Sequence, residues 1–394
     1  MNCNNNSQFS KCVYLDNCSS TPVAPRVLEC MLPYFTIKCG NPGNISHFWG
    51  RDAESAIQAS SQAVSQLIHC KPENIIWTSG ATESNNLAIM GVIQKCLRQT
   101  PHIITQVTEH PSVLDLCREL ERRGAEVTYL KVDGKGLIDV DEFKREIKQN
   151  TRLVSIMAAN NEIGTLQPIA FIGKICRESG ILFHCDAAQA AGKIDLDMEK
   201  VKVDLLSLSG HKMYGPKGIG ALCISSKAFS KIEPIFVGGG HQRGLRPGTI
   251  NVPGVVGLGE ACKMATQQMT GDFQRLSYLR NRFETKITSA LNEVVINSSG
   301  CSRLPHVTNI SFPQIKAESL LTLLPDIGAA TGSACASSRN EPSHVLRAIG
   351  LSDDLVSGSV RFSLGRELGE DDIDYAAERV ISAAKRMIAL VKGH

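Results

Sequence analysis

Between about residues 75 and 225, short β-branched runs alternate with helix-period segments, which predicts a large α/β domain on a mainly parallel, seven-stranded sheet. After about residue 265 the pattern changes to long charged helices with few strands, which predicts a smaller α+β domain. The 394 residues, 42% of them apolar, supply core for two such units at roughly 100–200 residues each.

In chain order, the strand candidates are 75–78, 103–106, 127–130, 153–157, 181–185, 204–207 and 220–224. Helix-period segments at 84–97, 113–123, 140–149 and 169–179 fall between most of them, the rhythm of βαβ units whose helices cover both faces of a sheet. The second unit reads as a helix over 273–291, a strand over 307–312, a helix near Glu318 and a closing helix over 371–391. The expected division is a large unit over 20–265 and a small one formed by 1–19 and 266–394. No internal repeat occurs, and the one biased tract is the Asn/Ser-rich start.

Lys+Arg 42 against Asp+Glu 39 leaves a net charge of +3, too balanced for an electrostatic nucleic-acid surface or a polybasic membrane anchor. No segment has the ~18 consecutive apolar residues of a membrane span, and no charged-then-apolar leader opens the chain, so a cytoplasmic protein is expected. Fourteen cysteines, without a C-x-x-C pair, argue against a disulfide framework or a zinc site. In a reducing compartment, cysteines such as Cys96, Cys117 and Cys223 are expected to be small buried hydrophobes. Cys335 alone stands in a segment, Thr331 to Pro342, whose small polar residues suggest an accessible thiol.

Six stretches carry candidate chemistry. Ser207-Leu208-Ser209-Gly210-His211-Lys212 follows the 204–207 strand and sets one amine among hydroxyls, an imidazole and glycines, an arrangement suited to a Schiff base with pyridoxal phosphate (PLP). Ser79-Gly80-Ala81-Thr82-Glu83 links a strand to a helix, where backbone N–H groups and the Thr82 hydroxyl would face an anion. Its plain alternative is a turn with Thr82 as N-cap. Neither nucleotide-binding glycine motif occurs.

Asp186 and Gln189 emerge after another strand, at the carboxyl edge where ligands bind, and an Asp there can pair with a protonated pyridine nitrogen. His184, Cys185 and Asp186 cannot converge on one metal, because adjacent strand residues point to opposite faces. His110, just past a strand end, can stack on a ring and move protons, or simply end a turn. The loop Gly238 to Thr249 is glycine-rich and carries Arg243 and Arg246, so it can bring backbone near an anion. Arg361 lies on a strand-like run, where its guanidinium can hold a carboxylate or form an edge-strand salt bridge.

Taken together, these residues resemble the class V aminotransferase-like cysteine desulfurases of the NifS/IscS type. The resemblance runs from Val13-Tyr14-Leu15-Asp16 to the last helix. It rests on Thr78-Ser79-Gly80-Ala81-Thr82-Glu83-Ser84, Asn160-Asn161-Glu162-Ile163-Gly164, the Lys212 string, Gly332-Ser333-Ala334-Cys335 and Val360-Arg361-Phe362-Ser363. It implies a PLP enzyme of fold type I and a homodimer in which Thr249 completes the partner's phosphate site. By the same resemblance, Lys212 carries PLP, Asp186 pairs with the pyridine nitrogen, Gln189 contacts the ring hydroxyl and His110 stacks on the ring. Ala81, Thr82, Ser209 and His211 belong to the phosphate site, and Asn161 and Arg361 bind the substrate carboxylate.

The implied reaction takes sulfur from L-cysteine, leaves alanine and forms a persulfide on Cys335 for delivery to an acceptor. Acceptors implied are an iron–sulfur scaffold, tRNA thiolation or DNA phosphorothioation, and Cys335 would be a metal ligand only in sharing a nascent iron–sulfur cluster. Asn17-Cys18-Ser19-Ser20 departs from the family, whose members more often carry an aromatic followed by Ser/Asn-Ala-Thr. The chain also ends soon after its closing helix, where housekeeping members continue into a scaffold-docking tail. A selenocysteine lyase and a non-catalytic sulfur-system scaffold are the alternatives. The joint presence of Lys212 and Cys335 argues against the scaffold, and an aminotransferase or decarboxylase on this fold would leave Cys335 unexplained.

Overall fold

In the computed structural model, which describes residues 11–331 and 342–392, the chain opens with β1 (Val13–Tyr14), α1 (Pro25–Met31) and α2 (Phe48–Ile68). It then runs through β2 (Ile75–Thr78), α3 (Ala81–Ile93), β3 (His102–Gln106), α4 (Pro111–Arg122), β4 (Glu126–Leu130), α5 (Val140–Arg145) and β5 (Thr151–Ser155). Next come α6 (Ile169–Glu178), β6 (Leu182–Asp186), α7 (Met198–Val201), β7 (Leu205–Ser209) and β8 (Gly220–Ile224). The remainder comprises α8 (Val252–Ala290), β9 (Val295–Ile296), β10 (Val307–Ser311), α9 (Ala317–Thr322), β11 (Ile327–Gly328) and β12 (Ala330–Thr331), followed by α10 (His344–Ala348), α11 (Asp353–Ser357), β13 (Ser359–Ser363) and α12 (Glu370–Lys392).

Seven strands form one sheet in the order β2-β8-β7-β6-β5-β3-β4, parallel except that β8 opposes both of its neighbours. The link between β7 and β8 is too short for the dozen or more residues a parallel crossover needs, so β8 must return antiparallel. Neighbouring residues divide between the two faces by the strand period of two. Ile104, Val154, Phe183 and Leu206 join one apolar cluster, whereas Ile103, Leu153, Leu182 and Leu205 join another with Leu87 and Ile89 of α3 and Leu116 and Leu120 of α4. Burial on both faces is why these strands read as continuous apolar runs.

A second sheet, β12-β13-β10-β9, is antiparallel, and β1 pairs in parallel with β11 through Val13 and Ile327. Its cluster joins Leu276, Leu279 and Phe283 of α8 to Ile310, Phe362, Ile373 and Val380. Phe283 and Phe362 meet edge to face at 5.0 Å between centroids, a geometry worth about 0.5–1.5 kcal/mol beyond burial.

The largest departure from the sequence reading is α8, expected from 273 and found from Val252. Glycines at 254, 257 and 259 read as helix breakers. In the fold they permit close packing: a Cβ on Gly257 would lie 2.5 Å from Met31 Sδ, and one on Gly259 would lie 2.6 Å from Ser60 Cβ. Helices α1 and α2 went unrecognised in the sequence. Arg361 sits on an interior strand, with β12 on one side and β10 on the other, so the edge-strand reading does not hold. Cys117 and Cys223 are buried as expected, but Cys96 is only partly buried and Cys39 is exposed. Among the described residues, no helix is long and apolar enough to cross a membrane.

Candidate active site

Strands β2, β6 and β7 end at Thr78, Asp186 and Ser209, and the residues that follow them meet at one edge of the sheet. There they line a cavity of about 570 Å³ with Ala81, Thr82, His110, Asn161, Asp186, Gln189, Ser209, His211 and Lys212 around it. This is the carboxyl edge, where the last strand residues and the loops after them can be aimed at a ligand without breaking the ladder. Cys18, Ser19 and Ser20 close another side.

Lys212 ends a 3-10 turn over Gly210–Lys212, and its Nζ donates to the carbonyls of Cys18 at 2.5 Å and Ser19 at 2.7 Å. Gly210 is required in that turn, since a Cβ would lie 2.9 Å from both Ile219 Cγ2 and Pro216 O. Burial drives the His211 pKa down to about 4, and the Lys212 charge adds to the effect, so the ring is neutral at neutral pH.

Helix α3 begins at Ala81 without a side-chain cap, leaving its first N–H groups directed at the cavity's edge. Gly80 precedes it at φ +153°, and the missing Cβ of Gly220 would fall 2.6 Å from Gly80 Cα. Backbone is therefore packed against backbone beneath the helix start. Glu83 accepts from Ser79 N at 2.7 Å and from Arg246 Nε at 2.9 Å. Burial raises its pKa, but these bonds outweigh it and leave the carboxyl below its ordinary value. Arg246 thereby ties the glycine-rich loop to this turn.

Asp186 is buried, accepting from Asn85 Nδ2 at 2.7 Å and from Ala188 N at 2.9 Å. His110 caps α4, its Nδ1 lying 3.1 Å from Ser112 N and 2.9 Å from Ser112 Oγ. Burial lowers its pKa, with Asp186 opposing and Lys212 assisting. Gln189 donates to the Cys18 carbonyl at 2.9 Å, and its Oε1 is buried without a protein partner. Behind them Glu109 is fully buried, accepting from Met157 N at 2.6 Å and Gln106 Nε2 at 2.8 Å, and burial pushes its pKa up to about 8.

Arg361 is 1% exposed, and its Nη1 donates to the Asn161 carbonyl at 3.0 Å. Its Nη2 donates to Asp16 Oδ1 at 2.7 Å and Ser19 Oγ at 2.8 Å. It stands behind the cavity wall formed by Asn161 and Ser19. Thr249 is exposed in the glycine-rich loop and does not line the cavity. Cys335 lies outside the described residues. Sequence reasoning passed over Glu109, since a lone Glu beside a His carries no pattern, and it noted Ser19 only as a departure from the family.

The donor set fits PLP: a lysine amine, a buried carboxylate across from it, an imidazole, and a helix start with adjacent hydroxyls for a phosphate. An unpartnered buried Gln189 oxygen and the glycine-to-glycine contact under the helix start suit a polar ring with an anionic arm. The model of the class-V aminotransferase family matches residues 13–376. The chain is 47% identical to cysteine desulfurase of Mus musculus, covering 95% of this chain and 82% of that protein. It is 45% identical to cysteine desulfurase IscS of Rickettsia rickettsii (strain Iowa), covering 96% and 92%. Among solved structures, a NifS-like protein superposes with a TM-score of 0.88 at 34% identity, covering 94% of this chain and 98% of that one. SspA in complex with cysteine gives 0.80 at 38% identity, covering 89% and 98%. The chain therefore belongs to the class-V aminotransferase family and, within it, to the PLP-dependent cysteine desulfurases of the NifS/IscS type.

Proposed function

We propose that the protein removes sulfur from L-cysteine, releases L-alanine and carries the sulfur as a persulfide on Cys335. The observation that carries this reading is the convergence of Lys212, Asp186 and His110 on one cavity with Arg361 behind its wall. When bound, PLP supplies an electron sink that makes the substrate's Cα proton acidic and its Sγ open to attack. Lys212 binds the cofactor and then moves the proton between substrate atoms, held on course by the carbonyls of Cys18 and Ser19.

Asp186, oriented by Asn85 and Ala188 N, would keep a proton on the pyridine nitrogen of bound PLP. With PLP bound, His110 would cover its ring, Gln189 would meet the ring hydroxyl, and Ala81, Thr82, Ser209 and His211 would hold the phosphate. Asn161 and Arg361 fix the substrate carboxylate. The Cys335 thiolate attacks Sγ; an S–S bond forms, the Cβ–Sγ bond breaks, and protonation at Cβ completes alanine.

Thr249 serves the phosphate site of a partner copy in a homodimer, a role supported by its exposure away from the cavity of its own chain. The sulfur acceptor is an iron–sulfur scaffold or a tRNA or DNA sulfur-modification protein, with Cys335 able to share a nascent cluster. Cytoplasmic placement is supported by cysteines such as Cys18, Cys117, Cys223 and Cys262, which are buried and outside any disulfide. The division into units 20–265 and 1–19 with 266–394 is supported by the apolar cluster of Val13, Leu15, Phe283, Phe362 and Val380, whose buried members all belong to the smaller unit.

The test is mass spectrometry after incubation with L-cysteine, with alanine measured in parallel. A sulfur adduct on Cys335, lost together with alanine release in Cys335→Ala, is expected. Unchanged alanine release by that variant would refute Cys335 as sulfur carrier and point to a lyase.

A further inference from the structure

Ser19 joins the arginine assigned to the substrate carboxylate and the lysine at the heart of the cavity. Its hydroxyl donates to Asp16 Oδ1 at 2.8 Å and accepts from Arg361 Nη2 at 2.8 Å, while its carbonyl accepts from Lys212 Nζ at 2.7 Å. Ser19 lines the cavity, whereas Arg361 and Asp16 do not. Arg361 Nη2 has two hydrogens, and Asp16 and Ser19 take one each. A carboxylate that approaches Nη2 from the cavity must therefore displace one of them.

The two partners differ in strength. Asp16 meets Nη2 as a salt bridge at 2.7 Å, whereas the serine hydroxyl carries no charge and makes the weaker of the two bonds. The hydroxyl is the partner that yields, and it is also the one facing the ligand. A hydroxyl rotates freely about its C–O bond, so its single hydrogen can turn from Asp16 to an incoming carboxylate oxygen. One hydrogen of Nη2 then passes from Ser19 to the same carboxylate, Asp16 keeps the other, and no donor is left unmatched.

We propose that Ser19 is a substrate-positioning residue, holding the Arg361 guanidinium in place and donating its hydroxyl hydrogen to the α-carboxylate of the bound amino acid. The proposal rests on Arg361 as the carboxylate-binding group. An alanine at this position would make neither bond.

The experiment titrates holoenzyme with two ligands that cannot lose sulfur, L-alanine and ethylamine, following the absorbance of the bound cofactor. In Ser19→Ala, L-alanine should bind about 10–100-fold more weakly, the loss of one hydrogen bond to a charged group. Ethylamine, which has no carboxylate, should bind as in the wild type, and Ser19→Thr should restore L-alanine binding to within about twofold. KM for L-cysteine should rise in Ser19→Ala with kcat changed less, because the contact is made in ground and transition states alike. Equal weakening of both ligands would mean that Ser19 only supports the fold of the turn, and unchanged L-alanine binding would also overturn the proposal. Alanine release from L-cysteine by the wild type is measured alongside, so that failure of the desulfurase reading is seen separately.

Discussion

Lys212 and Asp186 illustrate how a side chain's task follows from what holds it. Two carbonyls aim Lys212 Nζ, and an amide with a backbone N–H aims the Asp186 carboxylate. Lys212→Ala should abolish the visible absorbance of bound PLP and lower alanine formation by about 10²–10⁴-fold, the range for a positioned proton-transfer group. Asn85→Ala, which removes a donor to Asp186 without touching the cofactor lysine, should lower kcat by roughly 3–10-fold while Lys212 still binds PLP. Absorbance and single-turnover assays separate the two outcomes. Lys212, Asp186 and Arg361 stood out as candidates in the sequence through their local strings, whereas His110, a lone histidine beside a proline, read as readily as a turn residue. The Arg361–Asp16–Ser19 linkage was not legible, since Arg361 lies more than 340 residues from the other two in sequence.

Helix α8 shows how an element can be hidden by its own packing. Its glycines lower intrinsic helix propensity by about 1 kcal/mol each, yet two of them sit where α1 and α2 approach. Gly259→Ala places a Cβ 2.8 Å from the Ser60 backbone Cα, so overpacking should outweigh the propensity gain and destabilise by about 1–2 kcal/mol. Gly271→Ala in the same helix meets nothing within 4 Å and should stabilise by about 0.5–1 kcal/mol. Urea unfolding of the two variants tests the pair, and the same sign for both would refute the packing argument. The seven strands of the main sheet, in contrast, were read within two residues, because burial on both faces leaves a run of apolar residues that no helix period explains.

At the scale of the whole molecule, buried titratable groups shape stability against pH. His184 is fully buried between Ser155 Oγ and Ser207 Oγ, and burial lowers its pKa to about 4. Its folded pKa lies below the unfolded value, so its contribution is present above about pH 6.5 and is lost as pH falls through about 4. Glu109 has the opposite sign: with a folded pKa near 8, its contribution is present below the ordinary carboxyl range and is lost as pH rises through about 8. Glu109→Gln keeps the shape of the protonated acid and removes the titration. Between pH 5.5 and 8 its Tm should therefore fall less than that of the wild type, measured by thermal melts at both pH values. A parallel fall in both proteins would show that Glu109 is not the group lost on the alkaline side.

The sequence by itself determined the α/β class, the strands of the main sheet and the family, because these rest on local periodicity and on short strings around Lys212, Asp186 and Thr82. Tertiary structure alone decided that residues from opposite ends of the chain meet behind the cavity wall. Strand β13 lies in the interior of its sheet and carries Arg361 up to Asp16 and Ser19, beside the turn that holds Lys212. Contacts of that range are made when separate elements bury a common apolar face, and no window along the chain contains both partners.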